Sequence, residues 1–347
     1  MRIKGLDVLR GVAVLLVILR HAHLEDFALK EFGWLGVDLF FVISGVLVSG
    51  LLFKEYQEKG TVNIKRFLIR RGFKIYPSFY FFILVDVLLH WCNTHTFYET
   101  KLLLQEIFYI QNYTNGIWWH TWSLDVEEHF YLVLAFFGFL ISGKKILYNK
   151  KLMIGAMISL LIISFLIRFE YAFSHRNEVP LFVTQTHLRA DGLLVGVLLS
   201  YILHFTNWSQ HITNRKIILF ITGLLLLIPG FIYRGGSYEM STYGLTMVNL
   251  GFGLITLIAV EPFAMSIYIK KVIQLPAEFL ASIGKNSYSI YLWHLTALST
   301  VNYFFNFSKP INFMMYVVLA LLLGTTMTYL IEKPFLRWRD KLTNQSV

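Results

Sequence analysis

Ten stretches of about 20 mostly apolar residues recur along this 347-residue chain. They fall near residues 6–24, 34–53, 73–92, 123–142, 151–168, 187–205, 216–233, 243–265, 283–305 and 312–331. A helix of that length and apolarity matches the thickness of a bilayer's hydrocarbon core. A chain with this many such segments has few alternatives to a polytopic helical membrane protein. The remaining composition agrees: 56% of residues are hydrophobic and only 15% charged, against about 25% charged in soluble domains. The expected fold class is all-α, with about ten transmembrane helices forming one domain over residues 1–341 and a short tail at 342–347. No cleavable signal peptide is expected, since the first apolar segment is too long and lacks a small-residue cleavage site.

The net charge of +10 could suggest nucleic acid, but its distribution argues for topology instead. With the N-terminus in the cytosol, the inner segments hold 22 of the 31 Lys and Arg and the outer loops only five. Such a bias sets orientation in membranes. Both termini are therefore expected in the cytosol, in a plasma membrane, with the bilayer as partner and no nucleic acid. The single cysteine, Cys92, excludes an intrachain disulfide and a cysteine-based metal cluster. No metal is expected.

Against this apolar background the ionisable residues stand out, because each costs roughly 2.5–3.5 kcal/mol or more to insert and tends to face a protein or water-filled interior. Arg10 and His21 lie in the first segment, LDVLRGVAVLLVILRHAHL. Eleven steps of about 100° return to within about 20°, so the two share a face, roughly 16 Å apart along the axis. On the inner side, KRFLIRRGFKIYP brings Arg70, Arg71 and Lys74. Arg71 and Lys74 are three residues apart and share a helical face. Together with Arg10 they form a cationic mouth suited to phosphates.

Candidate chemistry lies toward the outer side. Asp38 enters the second segment there, Glu127 and Glu128 the fourth, and His187, Arg189 and Asp191 the sixth, all at a depth similar to that of His21. A histidine beside a carboxylate is an oriented general base, so Asp38 or Glu127 is expected to orient His21. The competing reading of these carboxylates is structural ion pairing with Arg20 and Arg189. In the ninth segment Ser287, Tyr291 and His294 form one polar stripe, for which interhelical hydrogen bonding outranks catalysis. The outer loop at 93–122 holds Trp118, Trp119 and Trp122. It reads first as an interfacial belt and second as a platform for a sugar or lipid-linked substrate.

Seven segments in order carry a resemblance: the Arg10 and His21 pair, GVDLFFVISG, RRGFKIYP, WSLDVEEHFYL, HLRADGLLVG, SIGKNSYSIYLWH and EKPF. In these the chain resembles the acyltransferase-3 family of integral membrane acyltransferases over nearly its whole length. The resemblance implies transfer of an acyl group, acetyl by default, from cytosolic acyl-CoA to a hydroxyl of an outer-side glycan or lipid-linked saccharide. It implies His21 as the essential residue and Arg10 and the basic pair near Arg71 as donor contacts, with acyl-CoA a substrate rather than a bound cofactor. Where the family pattern has a second Arg, this chain has Lys74, which keeps the charge and loses the fork. Some relatives carry an extracytoplasmic esterase-like domain. This sequence closes soon after its tenth segment, so its helical bundle is expected to act alone or with a partner. The alternative function is a glycan exporter or permease, in which the buried charges line a pathway. Transporters of that kind often show internal repeats, and none is evident.

Overall fold

The structure, a computed structural model, describes residues 3–22, 31–176, 183–208, 214–260, 267–305 and 307–343. Among these every regular element is helical. The ends of two expected spans, the outer end 23–24 of the first and the inner end 261–265 of the eighth, the cations Arg2 and Lys30, and residues 344–347 of the expected tail lie outside them.

Each of the ten apolar segments forms a helix. These are α1 (Lys4–His21), α2 (Leu35–Lys59), α3 (Ile64–Thr94), α5 (Trp122–Ile141), α6 (Lys150–Ser174), α8 (Asp191–Phe205), α9 (Lys216–Leu226), α11 (Leu245–Val260), α13 (Ser287–Phe304) and α14 (Lys309–Met327). Between them lie α4 (Thr100–Ile107), α7 (Thr186–Arg189), α10 (Ile228–Ile232) and α12 (Ile267–Lys285), and α15 (Lys333–Leu342) closes the chain. The ninth segment begins later than expected. Residues 283–285 belong to α12, and the chain breaks at Asn286 before α13.

Among the described residues five helices are long and apolar enough to cross a membrane: Leu35–Lys59, Ile64–Thr94, Lys150–Ser174, Met240–Val260 and Lys309–Leu342. Asp191–Phe205 and Lys216–Ile232 are shorter apolar helices. α1, α5 and α13 fall outside both groups, for reasons visible in their residues. α1 carries Lys4, Asp7, Arg10 and Arg20, α5 carries Asp125, Glu127 and Glu128, and α13 is rich in Ser, Thr, Tyr and His. These three polar helices carry Arg10, His21, Glu127, Ser287, Tyr291 and His294 of the candidate site. Apolar side chains of α6, α9 and α14 stay exposed on the outside of the bundle, among them Leu166, Ile217 and Leu322.

Close backbone approach holds the centre together. A Cβ on Gly45 of α2 would lie 2.2 Å from the Leu193 carbonyl oxygen of α8. A Cβ on Gly284 of α12 would lie 1.8 Å from the Asp7 carbonyl oxygen of α1. Small residues that let backbones meet are the usual device for helix association in a bilayer. Between them these two contacts fix α1 and α2, which frame the site.

Candidate functional site: two chambers joined at Tyr291

α1 meets α13 at both ends of its polar face. Arg10 Nε donates to Ser287 Oγ at 3.1 Å. His21 Nδ1 lies 3.3 Å from His294 Nε2, with the two rings edge to face at 4.9 Å. Arg10 and His21 therefore address one helix, as their common face requires. The polar stripe of α13 contributes Ser287 and His294 to these contacts and Tyr291 between them.

Two chambers open along this seam. The first is lined by Arg10, Arg71, Lys74, Glu127, Tyr131 and Ser287 among others. Here Arg71 lies over the Tyr131 ring at 5.6 Å, and the Tyr131 hydroxyl donates to Glu127 Oε2 at 2.6 Å. Lys74 is paired with Glu332, which also accepts from Ser289 at 3.2 Å. Glu332 sits in a π-turn, Thr328–Glu332, a local bulge often found at functional positions. Its presence means that part of the Lys74 charge is already met. Arg70 is not among the lining residues.

The second chamber holds His21 with Arg20, Glu31, Trp119, His120, Trp122 and Arg189. Val37 and Tyr291 line both chambers and so form the wall between them. Tyr291 is pinned there, its hydroxyl 2.6 Å from both the His120 carbonyl and Ser123 Oγ.

The orientation of His21 differs from expectation. Asp38 Oδ1 accepts from Arg189 Nη2 at 2.8 Å in a buried ion pair, and Asp38 is not among the lining residues. Glu127 lies deeper along α5, in the basic chamber. His21 Nδ1 instead sits 2.9 Å from the Val17 carbonyl. His294 Nδ1 lies 2.5 Å from the Tyr291 carbonyl and donates to it, which leaves His294 Nε2 as an acceptor. This network assigns the His21 proton to Nδ1, shared between Val17 O and His294, and leaves Nε2 as the basic nitrogen.

The expected outer layer of charges thus divides. Asp38 pairs with Arg189, which also lies over the Trp122 ring at 5.2 Å. Asp191 pairs with Arg168 at 2.6 Å, fully buried. Glu128 accepts from the Tyr76 hydroxyl at 2.9 Å, facing α3. His187 stacks on Tyr113 away from the chambers. For Asp38 and Asp191 the structural ion pair is what forms.

Two residues that sequence reasoning passed over shape this end. His120 donates from Nε2 to the Leu292 carbonyl at 3.1 Å and packs against His294. Burial, reinforced by the neighbouring His21, pushes its pKa down to about 3, so it stays neutral and serves as a wall. Its only signal in the sequence was a place among tryptophans, in WWHTW. Among the described residues no group of three or more His, Cys, Asp or Glu is arranged to hold a metal ion.

Glu106, on α4, is fully buried and gathers the loop before α5. Its carboxylate accepts from the backbone N–H groups of Ile117 (2.8 Å) and Trp118 (3.1 Å) and from Thr121 Oγ1 (2.9 Å). Burial outweighs these bonds and pushes its pKa up from 4.5 to about 7. The folded loop therefore binds the proton more tightly than the open loop does. Its stability is full below about pH 4.5 and declines as pH rises through about 7. Amide-exchange protection of residues 106–121 should fall between pH 5 and pH 8 after correction for intrinsic rates. Glu106→Gln should flatten that dependence. Equal protection across the range in the native chain would rule the effect out.

Comparison with known proteins bears on this arrangement. A family model described as an acyltransferase domain matches residues 3–333. A Staphylococcus aureus (strain COL) protein named "Putative O-acetyltransferase" is 30% identical, over 99% of this chain and 60% of its own length. The peptidoglycan O-acetyltransferase OatA of Listeria monocytogenes is 26% identical over 89% of this chain and 51% of its own. The O-acetyltransferase OatA of Staphylococcus aureus (strain NCTC 8325) is 29% identical over 87% and 52%. The chain thus spans between half and two thirds of the length of these relatives. No solved structure matches.

Proposed function

The chain belongs to the acyltransferase-3 family, and from that premise we propose that it is a membrane O-acetyltransferase using acetyl-CoA as donor and a glycan hydroxyl as acceptor. The observation that carries this reading is the pair of chambers at the two ends of one helical face. One is cationic and the other holds a histidine, with only Val37 and Tyr291 among the described residues common to both. The basic bias of the loops supports an orientation with the Arg10 end in the cytosol and the His21 end outside, in a bacterial plasma membrane.

Arg10 and Arg71 take the phosphates of the donor, with Lys74 contributing what Glu332 leaves of its charge. The pantetheine arm runs from there past Tyr291 toward His21, roughly the 16 Å set by helix rise. His21 Nε2 removes the proton of the acceptor hydroxyl as its oxygen attacks the thioester carbonyl. The carbon–sulfur bond then breaks, and the CoA thiolate leaves and takes up a proton. General base catalysis of this kind contributes typically 10²–10⁴-fold. His294 and the Val17 carbonyl hold the ring by its Nδ1 edge and so orient Nε2.

The test is transfer of labelled acetyl from acetyl-CoA to membrane glycans by the purified chain in proteoliposomes, with the product's mass measured. Glycan movement without acetyl transfer would instead identify an exporter. At the donor end, Arg10→Ala should weaken acetyl-CoA binding by about tenfold, the scale of one charge-assisted contact of about 1.4 kcal/mol. Unchanged affinity in a titration would remove Arg10 from the donor site.

A further inference from the structure

A second groove borders the histidine chamber, and the reaction just described does not use it. Gln111, Asn112, Trp119, Trp122, Thr184 and Gln185 are among its lining. Among the described residues none of its lining is Asp, Glu, Lys, Arg or His, although the adjoining chamber contains Arg20, Glu31 and Arg189 and the whole chain carries +10. Trp119 and Trp122 line both spaces, so the groove and the chamber meet at these rings. Trp119 is 69% exposed, while Gln111 and Asn112 are buried at 3% and 2%.

The polar groups of the groove are only partly engaged. Gln111 Nε2 donates to Thr121 Oγ1 at 2.8 Å, and Asn112 Nδ2 donates to Thr186 Oγ1 at 2.9 Å. Thr184 Oγ1 donates to the Asn112 carbonyl at 2.9 Å. These bonds fix the walls. Yet Oε1 of Gln111, Oδ1 of Asn112 and Oε1 of Gln185 accept no hydrogen bond among the described residues. A buried acceptor without a donor is costly and invites one from elsewhere. An aromatic ring beside several unused carboxamide oxygens, without charge, matches one ligand chemistry well. A pyranose offers an apolar C–H face to the ring and hydroxyl or amide donors to the oxygens. A membrane belt would need no such carboxamide lining.

We propose that this groove is an acceptor subsite for an uncharged saccharide unit, next to the unit that receives the acetyl group. The proposal rests on the reading of the chain as an acetyltransferase of glycan hydroxyls. The sugar lies on Trp119, and Gln185 turns its buried carboxamide oxygen out to accept from it, beside walls fixed by Gln111 and Asn112. The acceptor is then at least two sugar units long, and a single monosaccharide is a poor one.

Binding without turnover tests this separately from the reaction. The full chain in nanodiscs, without acetyl-CoA, is titrated with cellotetraose, chitotetraose and the charged tetragalacturonate. An uncharged tetramer should bind more tightly than the charged one. Trp119→Ala and Gln185→Ala, each eluting as native-like protein, should both weaken that binding at least tenfold, while His21→Ala should change it less than twofold. The assignment is overturned if neither uncharged tetramer binds the native chain, if the charged one binds as well, or if Gln185→Ala binds like the native chain. Saccharide binding with these variant effects but no acetyl transfer would support the subsite and count against the reaction.

Discussion

Replacing His21 with alanine should lower acetyl transfer by about 10²–10⁴-fold while acetyl-CoA binding changes less than twofold. The split follows from the geometry. His21 lies in the chamber away from Arg10 and Arg71, so removing its ring takes away the base and leaves the proposed phosphate contacts in place. The measurement is labelled-acetyl transfer in proteoliposomes at matched protein levels, beside an acetyl-CoA titration. Full activity in the variant would refute the role of His21. Equal loss of binding and transfer would instead mark the residue as structural. His21→Asn sharpens the comparison. Its amide can still meet Val17 O or His294 but cannot accept a proton near neutral pH, so it should be as inactive as alanine and better folded.

What could be read from the sequence was the local part of this arrangement. Segment length and apolarity are properties of consecutive residues, and all ten segments form helices. The shared face of Arg10 and His21 is likewise local, since it depends only on helix periodicity, and both residues reach α13. The partners were not legible, because each is fixed by which helices adjoin. Arg10 meets Ser287 across 277 positions, Lys74 meets Glu332 across 258, and Arg189 meets Asp38 across 151. Depth along a helix suggested Asp38 and Glu127 as companions of His21. The helix that adjoins α1 there, α13, gives that place to His294 instead. α12 was not expected for another reason: Lys270 and Lys271 put the stretch between the eighth and ninth segments among the inner loops, and its packing on α1 through Gly284 is invisible without α1 beside it.

The largest loss of stability is expected at Arg168, which touches neither chamber. Its side chain is fully buried. It donates to Asp191 at 2.6 Å and the Leu188 carbonyl at 3.2 Å, and it also bonds Thr246. One guanidinium thereby joins α6 to the α7–α8 junction and to α11. Removing one partner of a buried pair strands the other charge and costs about 3–5 kcal/mol, a large fraction of the 5–15 kcal/mol that typically holds a folded protein. Arg168→Met should therefore leave little monodisperse protein and lower its thermal midpoint sharply in detergent. Arg168→Met with Asp191→Asn, which removes both charges, should recover much of that loss. The difference between the double variant and the sum of the singles measures the coupling. A single Arg168→Met variant as stable as the native chain would show that the pair holds nothing. The consequence reaches function because Arg189 stands two residues from Asp191 in the α7–α8 turn. It forms part of the histidine chamber and holds Asp38. If the Arg168 staple sets that turn, the rescued double variant should fold and still transfer acetyl groups more slowly than the native chain.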